Sequence, residues 1–132
     1  MPNFYDEVIL DHNAHPQFFG ELDNPDLTLK ATNASCGDKF EIQLKLKNHK
    51  IIDASFKGVG CAVSKASTDI LLGEILGKSI DEAKKICEKF LAAVHDGDFS
   101  TLSGETCALE NVSKMPARVK CATLSWQTIL KS

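Results

Sequence analysis

The sequence predicts an α+β fold in which a three-stranded antiparallel sheet is covered by helices. Residues 40–47 alternate between apolar and polar side chains, which is the period of a strand with one buried face. Residues 80–94 instead carry apolar side chains at helical spacing. The strand-like segments precede the long helical ones, and such grouping is typical of α+β proteins.

The chain is expected to begin with a short helix from Asn3 to about Asn13, because Phe4 and Val8 share one face at helical spacing. Residues 15–26 contain two prolines and one glycine, and they are expected to form a loop.

Three adjacent strands are expected next. They are predicted over Leu27–Ala31, over Phe40–Lys47, and through Ile52, Ala54 and Phe56. Asn48-His49 supplies a tight turn between the second strand and the third. A sheet of this kind with one apolar face requires helices to cover that face.

Two long helices and a final one are expected to supply this cover. Residues 62 to about 76 are rich in Ala and Ser and then in Leu and Ile, as in a buried helix. Ser79-Ile80-Asp81-Glu82 is a capping box that opens the next helix, and Gly97 lies just past its end. After a less regular segment over 98–113, Pro116 suits the first turn of the last helix.

Length and composition indicate one globular domain spanning residues 1–132. The 43% hydrophobic and 25% charged fractions are ordinary, and the apolar stretches are too short for a membrane span. The N-terminus lacks the features of a signal peptide, so a cytoplasmic location is expected. The net charge of −3 and the scattered basic residues argue against a nucleic-acid surface.

Three of the five cysteines stand out together with one aspartate. In a reducing compartment an odd number of cysteines indicates thiols for metal binding or chemistry rather than disulfides. Cys36, Cys61 and Cys121 lie in local sequences that are expected to expose them, and Asp38 follows the first closely. Three thiolates and one carboxylate form a tetrahedral set for zinc. No two of these cysteines form a C-x2-C knuckle, so three distant loops must converge on one point.

The predicted element ends are consistent with this convergence. Cys61 is expected at the start of a helix, where the dipole favours a thiolate, and Cys121 in the early turns of the last helix. The alternative is that Cys36, Cys61 and Cys121 are simply small buried hydrophobic residues. Core packing is the preferred interpretation for Cys87, which lies on an apolar helix stripe. Cys107 could be exposed, and its placement is interpreted as incidental.

The histidines and one glycine pair are assigned no catalytic role. His12 and His15 are expected to be solvated or to contact a partner rather than to bind metal. His49 is expected in a turn and His95 at a helix C-terminus. The Gly58-x-Gly60 pair lacks the third glycine of a dinucleotide-binding fingerprint.

Several blocks of the sequence resemble the IscU/NifU-N family of iron–sulfur cluster assembly proteins, and most closely its SufU branch. The blocks that carry the resemblance are Asp11-His12 with Pro16, Cys36 to Phe40, Gly58 to Ser67, and Val112 to Trp126. The resemblance runs almost from end to end and implies an IscU/SufU-like α+β fold.

The resemblance implies a zinc ion held by Cys36, Asp38, Cys61 and Cys121. It also implies that Cys36 accepts persulfide sulfur from a pyridoxal-phosphate cysteine desulfurase of the SufS type. The chain would then act as a zinc-dependent sulfurtransferase, a co-substrate of the desulfurase that passes sulfur to the downstream iron–sulfur assembly machinery.

Two alternatives remain beside this function. The first is a scaffold on which iron or a transient iron–sulfur cluster is bound by the same thiolates. The second is a non-catalytic adaptor stapled by zinc. The IscU branch carries His before the third cysteine, whereas this chain has Lys120, which argues against the scaffold. Arg118 and Lys120 are expected to attract the anionic persulfide or to contact the partner.

The chain departs from the family pattern at two places. Ala34 stands where the family usually has Pro, which should loosen the Cys36 loop slightly. His15-Pro16-Gln17 replaces Asn-Pro-Arg, and this change bears on partner contacts rather than on the metal site.

Overall fold

A computed structural model describes residues 4–33, 37–100, 102, 104–110 and 115–132, and within them it confirms the predicted α+β architecture. The helices are α1 (Phe4–Ala14), α2 (Ala62–Ile75), α3 (Ile80–Asp96), a 3₁₀ helix (Gly104–Leu109) and α4 (Pro116–Leu130). The strands are β1 (Leu27–Asn33), β2 (Asp38–Lys47) and β3 (Lys50–Val59). No helix in the described part of the chain is both long enough and apolar enough to cross a bilayer.

The strands form one antiparallel sheet in the order β1-β2-β3. Asn48 and His49 both have positive φ, at 53° and 66°, and they form the predicted tight turn between β2 and β3. The apolar side chains of β2 alternate as expected. Phe40, Ile42 and Leu44 are 3% exposed or less, and this face therefore lies against the helices.

Ile52 lies in the third strand as predicted, but its side chain does not share the buried face of Ala54 and Phe56. The pairing shifts between Lys45 and Leu46, so that Asp53 faces Lys45 while Ile51 faces Leu46. Ile52 is the extra residue of this β-bulge, and a one-residue insertion reverses which side chains face the core. Ile51 is consequently fully buried, whereas Ile52 is 49% exposed.

Helix α2 lies at the centre of the fold and contacts α1, α4, β3 and the 3₁₀ helix. Its polar side chains make specific bonds to α4. The indole Nε1–H of Trp126 donates to Ser67 Oγ at 2.8 Å, and the Ser67 hydroxyl donates to the Ala122 carbonyl at 2.6 Å. Trp126 also stacks on Phe90 of α3, with ring centroids 3.9 Å apart and planes inclined by 14°. One tryptophan thus joins three helices.

The ends of α3 confirm the predicted signals. Ser79 and Glu82 form the complete capping box, and Gly97 ends the helix in the left-handed conformation with φ of 73°. Cys87 is fully buried on the apolar face, as expected from its position. Burial raises the pKa of its thiol to about 12, so this cysteine stays protonated at neutral pH.

The prediction that His12 is solvated is wrong, whereas His15 is exposed. His12 is 6% exposed, and its Nδ1 lies 2.5 Å from Oδ2 of the fully buried Asp69 in α2. The same carboxylate accepts the backbone N–H groups of Gln17 at 3.1 Å and Phe18 at 2.9 Å. Asp69 therefore holds both the end of α1 and the following loop against α2.

We expect Asp69→Ala to lower the free energy of unfolding by about 3 kcal/mol, because it leaves three buried or half-buried donors without their acceptor. Asp23→Ala, on the exposed loop, is the matched control and should change stability by less than about 0.5 kcal/mol. Urea unfolding of both variants measures the difference. Equal midpoints for the two would show that the carboxylate does not stabilise the fold.

Candidate metal centre

Three of the four predicted ligands come together in the structure. A carboxylate oxygen of Asp38 and the Sγ atoms of Cys61 and Cys121 all lie within 4.8 Å of one another. They come from three separate elements, namely the first residue of β2, the N-cap of α2 and the second turn of α4. The fourth predicted ligand, Cys36, lies outside the described residues.

Cys61 caps the N-terminus of α2, where the sequence predicts it. Its Sγ accepts the backbone N–H of Ser64 at 3.4 Å and lies 3.5 Å from the Ser64 hydroxyl. Burial raises the pKa of the Cys61 thiol, but hydrogen bonds from Ser64 and from Cys121 outweigh this effect. The net pKa is therefore below its ordinary value, so the N-terminus of α2 favours the thiolate.

Gly58 and Gly60 allow the chain to enter α2 at this point. Gly58 has φ of 132°, and a Cβ there would lie 2.0 Å from the Lys39 carbonyl oxygen. A Cβ on Gly60 would lie 2.5 Å from the ring of Phe40 and 2.6 Å from Ser64 Oγ. The glycine pair therefore allows the β3–α2 connection to pack closely against β2. This packing explains why both positions are glycine, and no nucleotide site is needed to explain them.

Asp38 is fully buried, and its two oxygens differ in their surroundings. Oδ1 accepts the backbone N–H of Cys61 at 3.0 Å. Oδ2 is buried and has no hydrogen-bond partner among the described residues. A buried carboxylate oxygen without a partner is costly and calls for an explanation such as an ion. The carboxylate and two neighbouring thiols are donors that suit zinc, so these residues fit that metal.

Cys121 differs from expectation in its exposure. The sequence predicts an exposed thiol, but Cys121 is 1% exposed because α4 packs on α2 along this face. Cys61 is half-buried. The predicted convergence of the two thiols is thus confirmed, although it takes place beneath the surface.

The segments that carry Cys61 and Cys121 also expose charged and apolar side chains. Arg118 and Lys120 are exposed on α4 beside Cys121. Val59, which precedes Gly60 and Cys61, is 66% exposed, and Met115 at the start of α4 is 53% exposed. The sequence did not single out these two apolar side chains, although each lies in or next to a segment that carries a candidate ligand.

The remaining candidate residues do not belong to the group. The described histidines are absent from it, since His12 instead contacts Asp69. Cys107 is half-buried in the 3₁₀ helix, and its Sγ lies 3.4 Å from the carbonyl oxygen of Leu102.

Comparisons with known proteins show which family the chain belongs to. The model of the family described as NifU-like N terminal domain matches residues 4–131. The zinc-dependent sulfurtransferase SufU of Bacillus subtilis is 36% identical over 133 residues, which cover 99% of this chain and 90% of that protein. The iron–sulfur cluster assembly scaffold protein IscU of Thermotoga maritima is 33% identical over 127 residues, which cover 95% of this chain and 89% of that protein.

A solved structure gives the same result for the fold. A protein of Fervidobacterium islandicum, assigned as an iron–sulfur cluster assembly scaffold for the SUF system, superposes with a TM-score of 0.86 at 31% identity. The match covers 96% of this chain and 93% of that one. The chain belongs to the NifU-like N-terminal domain family, and the resemblance to the IscU and SufU proteins is confirmed.

We expect Gly60→Ala to destabilise the protein by about 1–3 kcal/mol, because its Cβ overlaps Phe40 and Ser64. Displacement of Cys61 should also lower the zinc bound per chain, as measured by elemental analysis. Gly73→Ala in α2 is the control, since its Cβ would lie 3.6 Å from the Phe18 ring, an ordinary contact. If Gly60→Ala kept wild-type stability and metal content, close packing would not position Cys61.

Proposed function

We propose that this protein is a zinc-dependent sulfur acceptor, which takes persulfide sulfur from a cysteine desulfurase and passes it on for iron–sulfur cluster assembly. The observation that carries the proposal is the group formed by Asp38, Cys61 and Cys121, in which one buried carboxylate oxygen has no hydrogen-bond partner among the residues that the structure describes. The names of the Bacillus subtilis and Thermotoga maritima relatives support a role in this pathway.

In this proposal zinc is held by the three grouped residues together with Cys36. Bound zinc lowers the pKa of its thiol ligands and keeps them deprotonated at neutral pH. Gly37 has φ of 73°, a left-handed conformation that suits glycine, and it leads directly into Asp38. Cys36 stands only two positions before Asp38 in the sequence, and the proposal takes it as the fourth ligand.

Sulfur transfer requires a thiolate that the partner can reach. Cys61 and Cys121 are half-buried and buried, which suits anchoring ligands. The Cys36 thiolate attacks the outer sulfur of the desulfurase cysteine persulfide, and the S–S bond of that persulfide breaks. A new S–S bond forms on Cys36, and the desulfurase cysteine leaves as a thiolate. No external oxidant or reductant is consumed.

Lys120 favours sulfur transfer over the scaffold alternative. It is exposed on α4 next to Cys121, and a protonated ammonium cannot serve as a metal ligand. With Arg118, also exposed, it instead places positive charge beside the centre, where an anionic persulfide and a partner would approach.

The proposal is tested with the zinc-loaded protein, a SufS-type cysteine desulfurase and L-cysteine. We expect one zinc per chain, faster alanine formation when the protein is added, and an added sulfur on Cys36 by mass spectrometry. Cys36→Ser should abolish both the faster alanine formation and the added sulfur. Cys107→Ser, at a half-buried position of the 3₁₀ helix, is the control and should keep both.

The other two functions would give different results. A coloured iron–sulfur centre with little zinc in the purified protein would establish the scaffold. A zinc-containing protein that neither accepts sulfur nor accelerates the desulfurase would be a stapled adaptor.

A second test addresses the role of Asp38. A carboxylate is a harder ligand than a thiolate, so it leaves the zinc site exchangeable, whereas four thiolates are typical of closed structural sites. We expect Asp38→Cys to retain zinc against a chelator for longer than the wild type and to stimulate the desulfurase poorly. A variant with firmer zinc binding and undiminished sulfur acceptance would show that ligand exchange is not part of the mechanism.

A further inference from the structure

A groove runs between the outer strand β1 and helix α4, on the flank of the molecule beside the metal centre. Two contiguous cavities of about 390 and 260 Å³ form it and share Thr32, Leu124 and Gln127 in their walls. One end is lined by Lys131 and Ser132, and the other by Asn33 and Lys120, the residue before Cys121.

The strand wall of this groove is an open sheet edge. Within the described residues, β1 forms strand pairing with β2 alone, and α4 contacts β1 without pairing to it. An edge strand presents backbone N–H and C=O groups that can pair with an added strand. The seven residues of β1 extend over about 20 Å, which is enough for a strand of similar length.

The helix wall has the spacing of a single face of α4. One row along this face contains Lys120, Leu124 and Gln127, at intervals of four and three residues. Lys131, the C-cap of α4, continues the row four residues later. Leu29 of β1 and Leu124 of α4 are half-buried and supply apolar contact in the groove.

The charged side chains that line the groove are all lysines. Lys30, Lys120 and Lys131 are exposed along it, and no Asp or Glu is found among its described lining residues. The whole chain has a net charge of −3, so this clustering runs against the overall balance. Lys120 and Lys131 are eleven residues apart, or about 16 Å along the helix, too far for one small anion to contact both. A single ligand that contacts both lysines must therefore be elongated.

We propose that this groove binds an extended, acidic segment of a partner protein, which adds to β1 as a fourth strand. The backbone edge of β1 holds the segment, the leucines contact its apolar side chains, and the three lysines pair with its carboxylates. The segment leads from the end of α4 toward the metal centre. This binding site goes beyond the proposed sulfur acceptance and does not depend on it.

The first test uses labelled heptapeptides of alternating Glu and Val (EVEVEVE) and of alternating Lys and Val (KVKVKVK), measured by fluorescence anisotropy. We expect saturable binding of the acidic peptide only, weakened by added salt. Lys30→Gln/Lys131→Gln should weaken it about fivefold. Lys47→Gln/Lys85→Gln is the matched control, since both lysines are exposed away from the groove and the net charge changes equally. This control should bind as the wild type does.

The second test separates strand addition from simple charge attraction. Successive backbone N–H groups of a strand point to opposite edges, and only one edge of the added peptide can pair with β1. N-methylation of every second residue therefore removes the pairing N–H groups in one of the two possible patterns and leaves them intact in the other. We expect the peptide methylated at odd positions and the peptide methylated at even positions to differ, with one binding and one not. Amide hydrogen exchange of β1 should slow when the unmethylated peptide binds.

Several results would overturn the proposal. Equal binding of the acidic peptide to the two double variants would contradict it. Equal binding of the two methylated peptides, or no binding of the acidic peptide at all, would contradict it as well. Preferential binding of an oligonucleotide such as oligo(dT) would assign the groove to nucleic acid instead. A concentration-dependent dimer that loses its self-association in Lys30→Gln/Lys131→Gln would place a second copy of the chain there.

Discussion

The burial of helix α2 on nearly all sides is the constraint on which the rest of the structure depends. The buried polar side chains of a helix in this position must find hydrogen-bond partners within the protein, because water does not reach them. Asp69 forms hydrogen bonds with α1 and the following loop. Ser67 forms them with the Trp126 indole and the Ala122 carbonyl, and Thr68 forms one with Ser125 Oγ at 2.6 Å. These bonds have fixed lengths and directions, so they set the positions of α1 and α4 relative to α2.

The geometry of the candidate metal centre depends on this packing. None of the elements that carry Asp38, Cys61 and Cys121 supplies more than one of the grouped atoms, so no local segment can form the group alone. Cys61 is placed by the start of α2 and Cys121 by the contact of α4 with α2. Asp38 is tied to the same point through its bond to the Cys61 backbone. A metal bound here would therefore stabilise the folded state as a whole.

Much of the fold could be predicted because its signals are local. Alternation identifies β2, Ser79 with Glu82 marks the start of α3, and Gly97 marks its end. The bulge at Ile52 could not be predicted, since Ile51 and Ile52 are both apolar and no period distinguishes which one faces the core.

The grouping of three candidate residues could also be predicted from local signals. Residue types and the helix-start signal located Cys61, and the three grouped residues were all named from the sequence. The burial of Cys121 and of His12 depends on contacts between distant segments. Asp69, which contacts His12, lies 57 residues away in the sequence. The sequence around Asp69 predicts a helix but does not indicate that its carboxylate contacts a histidine. The role of Cys36 stays a prediction.

The single tryptophan of the chain gives this architecture an intrinsic optical label. Trp126 is fully buried, stacked on Phe90 and bonded to Ser67, so its fluorescence arises from the junction of α2, α3 and α4. Emission from such an apolar site lies at shorter wavelength than that of a hydrated indole. Because the contact of α2 with α4 also brings Cys61 and Cys121 together, the emission wavelength follows the assembly of the thiol pair without any added chromophore.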